Sequence, residues 1–94
     1  MEIVNVVRFK ISPTREQEML DTRTVLLAAA RKVGPGPRHT VLTRVDEETW
    51  MDVWHWDSEE SLTATQAARL PEAEAAFGMV EVIDGTMGRI VSND

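Results

Sequence analysis

Trp50, Asp52, Trp54 and Trp56 occupy alternate positions of one run, Trp50-Met51-Asp52-Val53-Trp54-His55-Trp56-Asp57. Alternate side chains of an extended strand share a face, so a carboxylate stands in a row of three indoles, with Met51, Val53 and His55 behind. A carboxylate walled by indoles is desolvated, which favours its neutral form. Such a group suits removal of a phenolic or carbon-bound proton at neutral pH, while the indoles supply flat apolar walls for an aromatic molecule. Asn5, an amide on the more apolar face of another strand, is the second polar group such a pocket would use. A structural reading stands beside this one. Three indoles bury about 450–750 Å² between them, as core or as interface, and Asp52 then pairs with an arginine such as Arg8, Arg38 or Arg44.

Other chemistries lack their residues. The chain has no cysteine, which removes disulfides, thiolate nucleophiles and Cys-ligated metals and suits a reducing compartment. His39 and His55 are the two histidines; without clustered carboxylates they make a poor metal site, and no metal, haem, flavin or nicotinamide is expected. Gly34-Pro35-Gly36-Pro37 cannot cradle a phosphate, because prolines lack the N–H donors. The formal net charge of −6 argues against nucleic acid or an anionic membrane as partner. No apolar run approaches the roughly 20 residues of a membrane span, and Met1-Glu2 opens no signal peptide, so a cytoplasmic location is expected.

The elements that must position these residues are legible from pattern. Ile3 to Ile11 is β-branched and aromatic, apolar on both faces at its start, as in a central strand covered on both sides. Ser12-Pro13-Thr14 stops it and opens a helix that runs to about Val33, with Met19, Leu26, Ala30 and Val33 on one stripe. The Gly-Pro segment ends that helix. Arg38 to Val45 and Thr49 to Trp56, separated by Asp46-Glu47-Glu48, form an antiparallel hairpin. Ser58 caps a second helix, which Pro71 interrupts; a short piece follows from Glu72 to about Phe77. Val80 to Val91 carries the last strand, where Gly85 and Gly88 suggest a bulge or bend.

With 94 residues in the order β-α-β-β-α-β, one domain is expected, an α+β ferredoxin-like fold with a four-stranded antiparallel sheet and its helices on one face. The other face of the first and third strands is apolar too. A second copy, sheet against sheet, is the economical cover, so a homodimer is expected.

The element order, the strand-to-helix junction Trp56-Asp57-Ser58-Glu59-Glu60-Ser61-Leu62 and the opening Val7-Arg8-Phe9-Lys10-Ile11-Ser12-Pro13 resemble the antibiotic biosynthesis monooxygenase family. The resemblance covers nearly the whole chain. It implies a dimeric α+β barrel, with a pocket between sheet and helices in each subunit. It also implies a cofactor-independent monooxygenase acting on a phenolic or polycyclic aromatic small molecule. In such enzymes an Asn, a Trp and a Tyr contact the substrate; the corresponding positions here are Asp52, Trp56 and Leu62. In the haem-degrading branch the iron-ligating His corresponds to Phe77, so haem is not expected. Asp52 and Trp56 are the candidate catalytic residues, and Asn5, Trp54, Leu62 and Phe77 the candidate substrate contacts. A cyclase or isomerase working by proton transfer, and a non-catalytic dimerisation or ligand-binding module, remain as alternatives. A cavity of roughly 300 Å³ or more reaching Asp52 or Trp56 favours an enzyme or sensor. Solid packing, with Asp52 paired to an arginine, favours the module.

Overall fold

A computed structural model describes residues 1–93. Strand β1 spans Ile3–Lys10, helix α1 Glu16–Val33, β2 His39–Arg44, β3 Thr49–Trp56, α2 Glu59–Ala67, α3 Pro71–Gly78 and β4 Glu81–Arg89. The strands form one antiparallel sheet in the order β2-β3-β1-β4. This is the ferredoxin-like arrangement, with the two strands that are apolar on both faces at its centre.

Register decides what each face carries. Across β1 and β3 the pairs are Ile3 with Trp56, Asn5 with Trp54, Val7 with Asp52 and Phe9 with Trp50. Directly paired residues project to the same side, so the indole stripe and the odd-numbered side chains of β1 make one surface. The helices cover it. Phe9, Ile11 and Trp50 pack with Met19 of α1, and Ile3 and Trp56 pack with Leu62 of α2.

The opposite face has no helix. Its middle row is Val6, Val53 and Val41, and the next is Val4, His55 and His39. The two imidazoles meet edge to face, with ring centroids 5.4 Å apart. Arg8 and Asp84 form an ion pair at one side. Arg8 donates to the Asp84 carboxylate, which holds that group below the usual range. Strand β4 is exposed along its whole length, with Val82, Ile83 and Met87 among its side chains.

Local details refine the expectations. Ser12 does not cap α1: a single 3-10 turn, Pro13–Arg15, intervenes, and the Ser12 hydroxyl bonds that of Thr14 at 2.9 Å. Val33 lies off the buried stripe and is exposed. Ser58 does cap α2, accepting from the Ser61 N–H at 3.2 Å. Gly36 has φ +66°, and a Cβ there would fall 2.8 Å from the Arg31 Cα, so the Gly-Pro turn requires glycine at this position. Asp46 accepts from the backbone N–H groups of Glu48 and Thr49. With the Thr49 side chain as the largest influence, these contacts hold its carboxyl below the usual range and pin the β2–β3 turn. Helix α2 stops before Pro71, with Arg69 at φ +48°. The bulge in β4 is at Ile83, not at a glycine: pairing passes from Arg8–Asp84 to Phe9–Val82.

Candidate functional site

Between the sheet and the helices lies a cavity of about 160 Å³. Asn5, Val7 and Phe9 reach it from β1, and Asp52, Trp54 and Trp56 from β3. Arg23 and Leu26 come from α1, Leu62 and Gln66 from α2, and Ala73, Ala76 and Phe77 from α3. All six side chains singled out in the sequence therefore line one space. Leu62 is buried, whereas Phe77 is half exposed.

Trp56 is the most enclosed indole, 1% exposed. Its Nε1–H donates to Asn5 Oδ1 at 2.6 Å. An indole nitrogen only donates, so the orientation of the Asn5 amide is fixed: oxygen toward the indole, Nδ2 free. The Trp54 ring lies 6.0 Å from that of Trp56, tilted by 32°. Trp50 stands apart, with the Arg44 guanidinium 4.3 Å over its ring; it belongs to the core around Met19.

Asp52 is not a lone carboxylate among indoles. Arg23 grips it through two parallel hydrogen bonds, Nε to Oδ2 at 2.8 Å and Nη2 to Oδ1 at 2.9 Å. The two side chains are 18% and 12% exposed. Fork-to-fork pairing of this kind is the strongest form of arginine–carboxylate contact. None of the three arginines expected as partners fills that role. Arg8 is held by Asp84, Arg38 by Glu2 and Asp57, and Arg44 by Glu16.

Arg23 is the residue that sequence reasoning missed, and a signal for it existed. Met19, Arg23, Leu26 and Ala30 stand at i, i+4, i+7 and i+11, one face of a helix, and the other three are buried. A cation on a buried stripe needs a carboxylate across from it, and Asp52 was the carboxylate on the buried stripe of β3.

The signs expected to separate an open pocket from a filled one divide. A cavity exists and reaches both Asp52 and Trp56, yet it is smaller than the 300 Å³ expected, and Asp52 is paired to an arginine. An engineered apolar cavity of about 150 Å³ accepts benzene, so this space suits one aromatic ring, or two where the mouth is used. Its lining includes no histidine, and its one carboxylate is already engaged. A metal or haem iron would find no ligand set there.

No family model matches the sequence, and no curated protein matches it either. Solved structures do match in shape. A mutant of SnoaB, a cofactor-independent oxygenase from Streptomyces nogalater, superposes with TM-score 0.80 at 17% identity, over 98% of this chain and 95% of that one. A protein from Chloroflexus aurantiacus, provisionally described as an antibiotic biosynthesis monooxygenase, gives 0.70 at 16% identity, over 100% and 97%. A dimeric ferredoxin-like protein from an uncultured marine organism gives 0.71 at 17% identity, over 99% and 90%. Nearly complete coverage in both directions, with the strand order and register already described, leads to one conclusion: this chain carries the ferredoxin-like α+β fold that these proteins share, over nearly its whole length.

Proposed function

We propose that the protein is a cofactor-independent monooxygenase acting on a small phenolic or related aromatic molecule. The observation that carries this reading is the cavity itself: indole walls, Leu62 and Phe77 around a partly buried ion pair and a fixed amide. Its likeness in fold to a cofactor-independent oxygenase supports the same reading. The chemistry asks little of the protein. An activated CH₂ flanked by aromatic or carbonyl groups loses a proton to give an enolate, which passes one electron to O₂. The resulting radical and superoxide join as a peroxide, which takes up the proton and loses water to leave a carbonyl. In sum CH₂ and O₂ become C=O and H₂O, with no external reductant. Trp54 and Trp56 hold the ring, Asn5 contacts a ligand oxygen, the Arg23–Asp52 pair supplies the polar anchor, and Leu62 and Phe77 close the apolar side.

Oxygen uptake with naphthol-type compounds, whose two rings match the cavity and whose keto tautomer carries the CH₂, tests this. One atom of labelled O₂ is expected in the product and the other in water, with turnover cut at least tenfold by Trp56→Phe and by Asp52→Ala. Unchanged turnover in both variants would remove these residues from the site. Rearranged substrate without oxygen uptake would replace the oxygenase by a cyclase or isomerase.

The same reading includes a homodimer joined through the open sheet face, supported by the bare valine row, the uncovered β4 and the likeness to a dimeric protein of this fold. Light scattering at micromolar concentration is expected to give twice 10.6 kDa. Val53→Glu, which sets a charge in the middle of the valine row, is expected to give the monomer. A wild-type monomer would end the dimer proposal.

A further inference from the structure

We propose that the cavity takes its ligand as an oxyanion, received by Arg23, and that Asp52 serves as a positioning residue for Arg23 rather than as the base. This rests on the small-aromatic reading above and specifies what end of the molecule enters first.

Counting donors and acceptors carries the proposal. Both Asp52 oxygens accept from Arg23, and Asn5 Oδ1 accepts from Trp56. The principal acceptors of the lining are thus already engaged by protein donors. What stays free is of one kind: Arg23 Nη1 and Asn5 Nδ2 donate to no described residue. Neither nitrogen is sealed inside protein, since Glu72 Oε2 is the only enclosed side-chain polar atom without a partner among the described residues. Both residues line the cavity. Gln66, the other uncharged polar side chain of the lining, is exposed. An apolar space whose unsatisfied groups are N–H donors, one of them cationic, fits a molecule that brings acceptors and negative charge.

Geometry sets the spacing. Asn5 pairs with Trp54 and Val7 with Asp52, so Asn5 and Asp52 are diagonal neighbours on paired strands, about 7–8 Å apart. A one- or two-ring molecule spans that distance, with an ionised oxygen on Arg23 and a second oxygen toward Asn5. The role of Asp52 follows. With Nε and Nη2 held in the fork, the guanidinium plane is fixed and Nη1 is aimed by default. The ligand's own proton stays in solvent, because the ionised form is the one that binds, and no side chain has to accept it.

The probe is 4-nitrophenol, whose ionisation is read by absorbance, with 4-nitroanisole as its uncharged ether and 4-nitrobenzoate as a carboxylate of similar size. Wild-type protein is expected to bind 4-nitrophenolate at least tenfold more tightly than 4-nitroanisole, and to raise the ionisation constant of the bound phenol by a similar factor. Arg23→Gln is expected to remove both effects. Asp52→Asn, which keeps one acceptor and loses the other arm of the fork, is expected to weaken phenolate binding and leave that of 4-nitroanisole unchanged; phenolate binding as tight as in the wild-type protein would remove the positioning role. Tighter binding of 4-nitrobenzoate than of 4-nitrophenolate would support the oxyanion site and name carboxylates as its source. Equal binding of phenolate and ether by the wild-type protein would overturn the proposal, and that comparison needs no variant to fold. Oxygen uptake is independent of these readouts, so a failed oxygenase reading and a failed Arg23 reading give different results.

Discussion

Removing either half of the Arg23–Asp52 pair is expected to lower stability by about 3 kcal/mol, and removing both far less. Breaking a buried pair costs about 3–5 kcal/mol, because the remaining charge stays desolvated without compensation. The side chains here keep 18% and 12% of their surface, which places the cost at the low end of that range. Arg23→Ala and Asp52→Ala should each move the melting temperature down by roughly 12–24 °C, at about 4–8 °C per kcal/mol for a domain of this size. Arg23→Leu combined with Asp52→Leu should recover most of the loss, since an apolar pair of similar volume avoids the desolvation cost altogether. Urea unfolding at fixed protein concentration measures all three; the concentration matters because assembly would add to apparent stability. Single variants within about 0.5 kcal/mol of wild type would mean that water, not protein, surrounds the pair. The double variant would fold yet bind no oxyanion, separating what the pair does for the fold from what it does for the ligand.

Trp56 gives the second large effect. Trp56→Ala is expected to cost about 3–5 kcal/mol, the usual range for deleting a buried aromatic side chain, because the ring is enclosed by Ile3 and Leu62. Trp56→Phe keeps most of the packing and removes the donor to Asn5 Oδ1. It should cost about 1 kcal/mol, the low end of the penalty for an acceptor without a partner, because Asn5 is only partly buried. Asn5→Leu in the Trp56→Phe background should return part of that, as replacing both partners by apolar groups does. A Trp56→Phe variant as stable as wild type would show that the amide finds water instead.

The fold was legible because its signals are local. Period two in β1 and β3, the hairpin turn at Asp46, the Ser58 cap and the Pro71 break each depend on a few neighbouring residues, and each appears in the structure. The gathering of Asn5, Asp52, Trp54, Trp56, Leu62 and Phe77 around one cavity followed from those same faces. What escaped depends on contacts between elements. The partner of Asp52 lies 29 positions away on a helix, and nothing local to Asp52 favours Arg23 over Arg8, Arg38 or Arg44. The bulge at Ile83 rather than at Gly85 likewise belongs to the pairing of β4 with β1. Cavity volume lies furthest from sequence, since it is the small difference between the space the backbone encloses and the side chains that fill it.

The confinement of every tryptophan to one strand has an optical consequence. The chain has three tryptophans and no tyrosine, so its near-ultraviolet absorption and emission come almost wholly from the stripe on β3. Trp54 and Trp56, 6.0 Å apart and inclined to each other, are near enough for their transitions to couple, and the paired circular-dichroism bands that result would register any rotation of one ring. Trp50, under the Arg44 charge and away from Trp54 and Trp56, provides a spectator signal. The protein thus carries its own spectrometer, and a molecule entering between sheet and helices would announce itself without a label.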